Sequence, residues 1–348
     1  MTDENIYFPD IVGNGALIRR LSKDISENRL SHAYIIEGIK GSGRHTIARH
    51  TVAAIECSAR SDGTNSTHLP CGKCKSCVKI LSGTSPDVIT VGLEEDRSTI
   101  GVETIRNLKE DIYTAPNDLS IKAYVIEDAD LMTVQAQNAF LLSLEEPPSY
   151  IVFFLICENS ENLLETVRSR APALRTERLS PEAVERYLLK HDGRARELKE
   201  ASPEEWEETI CISQGSIGSA LDLLDAKKRA RTIEYRNVAK SLIAMLGRAN
   251  RAAAFEAISA FGTKRAEVCR QLSFLQYAIR DLLLLKKCEA SPLCFFERRD
   301  DAIELSTHFT AQGLLSLYDA SAVAMDDLEA NANVRLTLIN MMQRAELI

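Results

Sequence analysis

The sequence predicts an α/β fold, a parallel sheet with helices on both faces, followed by a part built only of helices. Two observations point to the first half. Short apolar runs of strand length recur up to about Arg178, and stretches with apolar residues at helical spacing alternate with them. Such alternation implies a parallel sheet covered on both sides. A third observation points to the second half. From roughly Lys227 the text is rich in Ala, Leu, Arg and Glu, with helices expected near 230–247, 250–261, 265–287, 311–327 and 333–345. At 348 residues the chain exceeds what one core comfortably serves. It divides into an α/β domain over 1–178, a small helical domain over 179–226 and a helical domain over 227–348.

The elements follow in order. Leu17, Leu21 and Ile25 share one face of a first helix. "AYIIEG" (33–38) is a short apolar strand that ends in glycine, and the helix after the next loop carries Ala48, Val52 and Ile55 on one side. Ile105, Leu108 and Ile112 mark another helix, closed by the turn Ala115-Pro116-Asn117-Asp118. "KAYVIEDAD" (122–130) is a buried strand ending in carboxylates, followed by a helix over 133–146 that stops at Pro147-Pro148. "YIVFFLIC" (150–157) is the next strand, and a helix through Leu163, Leu164 and Val167 reaches "RSRAP". Ser180-Pro181 is a cap with a first-turn proline. Ser202-Pro203-Glu204-Glu205 reads as a capping box.

Composition excludes several classes. A net charge of −8 argues against coating nucleic acid by charge alone and favours a protein partner. No apolar run approaches a membrane span, and the acidic, polar opening "MTDENIYFPD" is no secretory signal, so a cytoplasmic protein without membrane attachment is expected. Reduced thiols then need a reading other than disulfides. Cys157, Cys211, Cys269, Cys288 and Cys294 are scattered and read as small core residues.

The remaining four are spaced for a metal. Cys57 is followed, after thirteen residues, by Cys71-Gly-Lys-Cys74-Lys-Ser-Cys77. Two successive C-x-x-C steps bring three thiolates to one point, and a fourth from the end of the preceding helix completes a tetrahedron. Four cysteines leave no position for water, which indicates structural zinc rather than catalysis. An iron–sulfur cluster and a set of redox-active thiols are the rivals, and His68 nearby reads as a loop residue.

"GIKGSGRHT" (38–46) is nearly a phosphate-cradling loop, whose pattern is G-x-x-x-x-G-K-[ST]. Gly38 and Gly43 stand at the required separation, with Gly41 between them. Arg44, however, replaces the lysine and His45 the magnesium-binding hydroxyl. A planar guanidinium is no substitute for a compact ammonium in a narrow nest, and Thr46 supplies a hydroxyl only if the register shifts. The strand "YVIEDAD" ends Glu127-Asp128, where ATPases of this class end Asp-Glu. That exchange displaces each carboxylate by about an ångström, enough to spoil an in-line attack. ATP and magnesium are therefore doubtful here, while the plain alternative for Glu127, Asp128 and Asp130 is a solvated strand end.

Taken together, these segments resemble the bacterial clamp-loader ATPases of DNA polymerase III, an AAA+ family. "FPDIVGNGALIRRLSKDISENRLSHAYIIEG", "PCGKCKSC" with "SPDVITV", "IGVETIRNLKEDI", "AYVIEDADLMTVQAQNAFLLSLEEPP" and "ETVRSRAP" match in order over about 1–178. "SQGSIGSALDLL" (213–224) resembles the end of the lid domain, and "NANVRLTLINMM" the final collar helix. The resemblance implies an AAA+ core with a zinc module at 57–77, a helical lid and a helical collar. The family's motor subunits keep an intact G-K-T loop and carry an arginine in the lid where this chain has Gly218. The polar sensor position falls near Cys157-Glu158. These departures select a subunit that does not hydrolyse ATP.

Ser169-Arg170-Ala171 stands where the family has Ser-Arg-Cys, whose arginine enters the neighbouring subunit's ATP site. The resemblance thus implies Arg170, with Ser169, as a finger acting in trans, although Arg168 and Arg170 also read as ordinary helix-end cations. The implied partners are the ATPase subunits gamma and tau and the delta subunit in a hetero-oligomeric ring, with a sliding clamp and primer–template DNA reached through that ring. The rival readings are an active ATPase with atypical motifs and a zinc-bearing DNA-binding module.

Overall fold

The computed structural model describes residues 8–345 except 62–67, 95–96, 98, 248–255, 257, 289–290, 292 and 297. Most of the helix expected over 250–261 lies outside these residues. Two compact units are present: Met1–Tyr187 with Gly215–Gly218, and Leu188–Gln214 with Ser219–Ile348.

In the first unit, α1 (Gly15–Ser26) precedes β1 (Ala33–Glu37), and α2 (Arg44–Ile55) follows the loop at 38–43. The single turn α3 (Ser58–Ser61) and α4 (Lys75–Leu81) flank the cysteine-rich segment. Then come β2 (Val88–Val91), α5 (Val102–Ile112), β3 (Lys122–Ile126), α6 (Val134–Glu145), β4 (Ile151–Cys157), α7 (Glu165–Arg168) and β5 (Ala173–Arg175). Among the described residues the five strands form one sheet of order β2-β3-β4-β1-β5, with every pair parallel. This is an AAA+-like α/β architecture.

Both faces of the sheet are covered. Tyr34, Ile36, Ala123, Val125, Phe154 and Ile156 face one core with Leu17, Leu21, Ile25 and Val52. Ala33, Ile35, Tyr124, Ile126, Phe153 and Leu155 face the other, with Ile105, Leu108, Ile112 and Phe140. Successive side chains of a strand point to opposite sides, so apolar residues on both faces of β1, β3 and β4, with Glu37 and Lys122 at strand ends as the exceptions, require helices above and below.

Several expectations change in detail. β2 and β5, the two edge strands, escaped the pattern because they are short and largely unburied; in β5 only Leu174 is buried. β3 stops at Ile126, since Asp128 adopts a left-handed backbone with φ 47° that ends the ladder. The helix expected through Leu163 is reduced to a 3₁₀ turn, Ser160–Asn162, and the one-turn α7. Pro203 occupies the first turn of its helix, but the Ser202 hydroxyl makes no capping bond among the described residues. Of the five scattered cysteines only Cys157 is buried, and Cys288 is exposed. Cys157 lies in the core of the sheet and Cys269 packs against the core of the second unit, whereas the small apolar surface of the other three did not oblige them into one.

In the second unit the helices Gly193–Ala201 and Pro203–Ser213 pack together, and Ala226–Gly247, Arg265–Lys287, Ala311–Glu329 and Val334–Arg344 build a core around Leu242, Leu272, Leu275, Leu314 and Met341. Arg299–Thr307 is a further helix. Asp281 is fully buried and accepts the backbone N–H of Cys294 and Phe295 at 2.8 and 2.7 Å, which offsets the cost of hiding its charge. Among the described residues no helix is long and apolar enough to cross a membrane.

One buried carboxylate ties β2 to the strand beside it. Asp87 accepts the backbone N–H of Asn117, Asp118 and Leu119 at 2.6–2.9 Å. Burial opposes its ionisation, but these amides outweigh it and hold the carboxyl below the ordinary 3.8. Its contribution is therefore present above that value and lost as pH falls through the depressed one. Asp87→Ala is expected to cost about 2–3 kcal/mol in urea unfolding at neutral pH. The gap between the two proteins should close below pH 3.8, and an equal gap at all pH values would refute the assignment.

Candidate functional site

Because all strands are parallel, the segments that leave them converge on one edge of the sheet. The 38–43 loop leaves β1 there, Glu127 leaves β3, Glu158 leaves β4 and Thr176 leaves β5. β1 lies between β4 and β5, so the loop opens where the strand order reverses, the usual ligand crevice of such sheets.

The loop keeps its shape through its glycines. Gly41 and Gly43 have φ of 78° and 88°, which side chains rarely tolerate, and Gly43 caps α2. A Cβ on Gly38 would stand 1.7 Å from Oγ1 of Thr176. The chemical positions are altered. Arg44, only 5% exposed, begins α2, and its charge reaches Cys157 and Glu158. Its Nη1 is buried without a hydrogen-bond partner among the described residues. His45 turns to the acidic strand end, with Nδ1 3.1 Å from Oε1 of Glu127. Burial lowers the His45 pKa below 6.5 although Glu127 opposes this, so at neutral pH an uncharged imidazole meets the carboxylate. Thr46 is exposed, and its carbonyl lies 2.8 Å from Nδ1 of His50. Asp128 sits on the left-handed turn.

The segment Ser216–Gly218 lies against the loop. The Ser216 hydroxyl donates to the Lys40 carbonyl at 3.0 Å, and the Gly218 N–H donates to the Gly41 carbonyl at 2.9 Å. A Cβ at residue 218 would approach Gly41 Cα to 2.7 Å. No side chain, and so no phosphate-sensing arginine, fits at this position without moving the backbone.

The structure therefore brings together Gly38, Gly41, Gly43, Arg44, His45 and Glu127. Sequence reasoning missed the His45–Glu127 pair. It also missed the role of Asp130, whose Oδ2 accepts the N–H of Glu158 and Asn159 at 3.0 and 3.1 Å and so ties the end of β4 to the turn after β3. Spacing along one chain carries no signal for such contacts between strands.

Arg170 lies elsewhere. It follows α7 and precedes β5, at the amino edge of the sheet, whereas the loop leaves the carboxyl edge. The five residues of β1 separate those edges by roughly 15 Å. Its Nη2 donates to Oε1 of Glu145 at 2.9 Å and its Nη1 to the Thr166 carbonyl at 2.9 Å. Ser169 is exposed and donates to the same carbonyl at 3.1 Å, and Ala171 packs into the core.

The four cysteines Cys57, Cys71, Cys74 and Cys77 converge, with their sulfurs all within 4.8 Å of one another. A tetrahedron of thiolates at 2.3 Å from an ion has edges of about 3.8 Å, and Cys71 and Cys77 Sγ are 4.0 Å apart. The N–H groups of Cys71, Cys74 and Cys77 point at the sulfurs of Cys57, Cys71 and Cys74 at 3.4–3.5 Å. Such donors favour thiolates. Burial opposes ionisation of Cys74, yet the Cys77 and Ser58 donors bring it to about 6. The donor set thus fits a closed metal site. His68 is outside this cluster. Chelation of bound metal, or Cys74→Ser, is expected to cost on the order of 3 kcal/mol or more in denaturant unfolding, because closed sites of this kind couple binding to folding. A protein that purifies metal-free at full stability would contradict this.

A doubly covered parallel sheet, strand order β2-β3-β4-β1-β5, and a glycine-rich loop between β1 and α2 define an AAA+-like protein with altered nucleotide-loop chemistry. Residues 13–180 match the family model described as DNA polymerase III, delta subunit. The chain is 31% identical to DNA polymerase III subunit gamma of Buchnera aphidicola over 250 residues, covering 71% of this chain and 65% of that one. It is 34% identical to subunit delta′ of Bacillus subtilis over 176 residues, 51% of each chain. A gamma subunit-related protein of DNA polymerase III from Thermotoga maritima superposes with a TM-score of 0.46 at 18% identity, over 94% of this chain and 98% of that one. Over these stretches the chain is similar to the gamma, tau and delta′ subunits of DNA polymerase III. It spans between about a third and two thirds of the length of the curated relatives it matches.

Proposed function

We propose that this chain is a non-hydrolysing, delta′-type subunit of the DNA polymerase III clamp loader, acting in the cytoplasm within a hetero-oligomeric ring. Its α/β domain lends Arg170 to the ATP site of an adjacent gamma- or tau-type subunit. The small helical domain over 179–226 serves as lid, and the helical domain over 227–348 as the collar that joins the other subunits, delta among them. The ring places a sliding clamp on primer–template DNA. Cys57, Cys71, Cys74 and Cys77 hold a structural zinc ion.

One observation carries this reading. The loop that would have to do phosphate chemistry has Arg44 and the His45–Glu127 pair at its working positions, while Arg170 stands at the opposite edge of the sheet. Arg170 is too far from its own loop to serve it, and its partly exposed guanidinium is open to a second molecule. A guanidinium beside a γ-phosphate stabilises the charge of the transition state and is sensitive to whether the nucleotide is present. The acceptor here belongs to the neighbour, so an intact pocket in this chain is not required.

Arg170→Ala is expected to leave assembly of the reconstituted ring intact by gel filtration and to lower turnover at the adjoining ATP site by about 10³-fold. Unchanged DNA-stimulated hydrolysis would remove the trans role. Brisk, Arg44-dependent hydrolysis by the isolated chain would instead return the active-ATPase alternative.

A second reading, retention of a nucleotide without turnover, is favoured by the Nη1 of Arg44, which has no partner among the described residues. A buried guanidinium nitrogen without an acceptor is costly and suits a phosphate oxygen. The isolated chain should then bind a fluorescent ATP analogue, and Arg44→Ala should weaken binding about tenfold or more. Equal titrations of the two proteins would dismiss the idea.

A further inference from the structure

We propose that Glu145 is the positioning residue for Arg170, an inference that rests on the trans reading above. The local backbone is a poor platform for a precisely aimed cation. α7 has one turn, Glu165–Arg168, and Arg170 lies two residues beyond it. A four-residue helix supplies little rigidity of its own. The order comes from α6, which grips the 160–170 segment at both ends.

At the near end is Gln137, only 2% exposed. Its Nε2 donates to the Met132 and Asn162 carbonyls at 3.1 and 3.3 Å, and its Oε1 accepts the Leu164 N–H at 2.7 Å. At the far end, two helical turns along the same stripe, Oε1 of Glu145 accepts from Nη2 of Arg170. Between them Phe140 and Leu144 anchor α6 in the core. The stripe at 137, 141 and 145 is thus a rail along which the segment is fastened.

The bonding of the guanidinium suits presentation. It carries five N–H groups, and the Thr166 carbonyl and Glu145 engage one on each terminal nitrogen. Among the described residues no other acceptor is engaged, which leaves three for phosphate oxygens. The side chains of Arg170 and Glu145 are 35% and 47% exposed, and an ion pair this open adds little to folding stability. Its effect is to remove rotamer freedom from a long side chain before the phosphate arrives. The carboxylate also keeps the guanidinium near the surface, where a partner's nucleotide can reach it.

The test combines the reconstituted complex with the isolated chain. In the complex, Glu145→Gln should lower the turnover number roughly fivefold, the range for ordering one such side chain, with KM for ATP unchanged. In the Arg170→Ala background the same change should have no further effect, because Glu145 acts through Arg170. Glu145→Asp, which keeps the charge, should recover part of the loss. In the isolated chain, the side-chain ¹⁵N order parameter of Arg170 should fall in Glu145→Gln while the unfolding midpoint holds. Wild-type turnover by Glu145→Gln alongside an impaired Arg170→Ala overturns the positioning role, as does a loss that persists without Arg170. An unchanged Arg170 order parameter overturns it independently of any assay in the complex. If Arg170→Ala itself turns over normally, the trans reading fails, and the order parameter still decides whether Glu145 orients the guanidinium.

Discussion

Every functional feature of the first unit depends on the parallel hydrogen bonding of β1 to β4 on one side and β5 on the other. Parallel strands cannot be joined by hairpins, so each connection crosses over and every strand begins at the same edge. The loop after β1 and the acids after β3 must then meet at one edge, and the Arg170 segment before β5 must lie at the other. No side chain had to evolve to separate the altered loop from Arg170. The separation is a property of the ladder. It is held by cores on both faces, where Phe153 packs edge-on against Phe140, with ring centres 5.1 Å apart.

Within that frame the pocket has been rebuilt from inside. A phosphate loop has to leave donors and a metal position unsatisfied until the ligand arrives. Here His45 supplies Glu127 with a permanent partner, the Gly218 N–H and Ser216 hydroxyl engage loop carbonyls, and Arg44 is withdrawn from solvent. The pairing of Glu127 and the engaged loop carbonyls hold the pocket closed on itself, while the Nη1 of Arg44 stays without a partner among the described residues. Arg170 has the opposite character, since it is partly exposed and keeps donors in reserve. The contrast between a self-satisfied pocket and a presented guanidinium underlies the proposed division of labour between this chain and a partner.

The cysteine cluster belongs to the frame rather than to the pocket. Cys57 follows α2, Cys77 lies on α4, and both are buried in the core shared with Leu69 and Ile80. A metal ion held by these four sulfurs would fasten α4 to the helix that follows the 38–43 loop. Its influence on the loop is mechanical, through α2, and the four sulfurs leave no ligand position for substrate.

Much of this was legible in the chain of letters. The apolar runs of β1, β3 and β4, the helices between them and the thiol spacing follow from local periodicity and from the few ways a short turn can wrap an ion. The loss of the lysine and hydroxyl from the phosphate loop is likewise a matter of residue identity. Other features escaped because their cause is not local. β2 and β5 are too short for a period and exist because neighbouring strands pair with them. The helix expected through Leu163 is confined to the one-turn α7, whose N-cap residue Leu164 has its N–H bonded to Gln137 of another element. The Arg170–Glu145 pair joins residues twenty-five positions apart, and the Gly218–Gly41 approach spans a far longer separation. Sequence by itself determined which groups this protein possesses and which it has given up. Only the tertiary structure decided which of them face each other, because contact across a sheet is set by strand order and packing, quantities no single segment encodes.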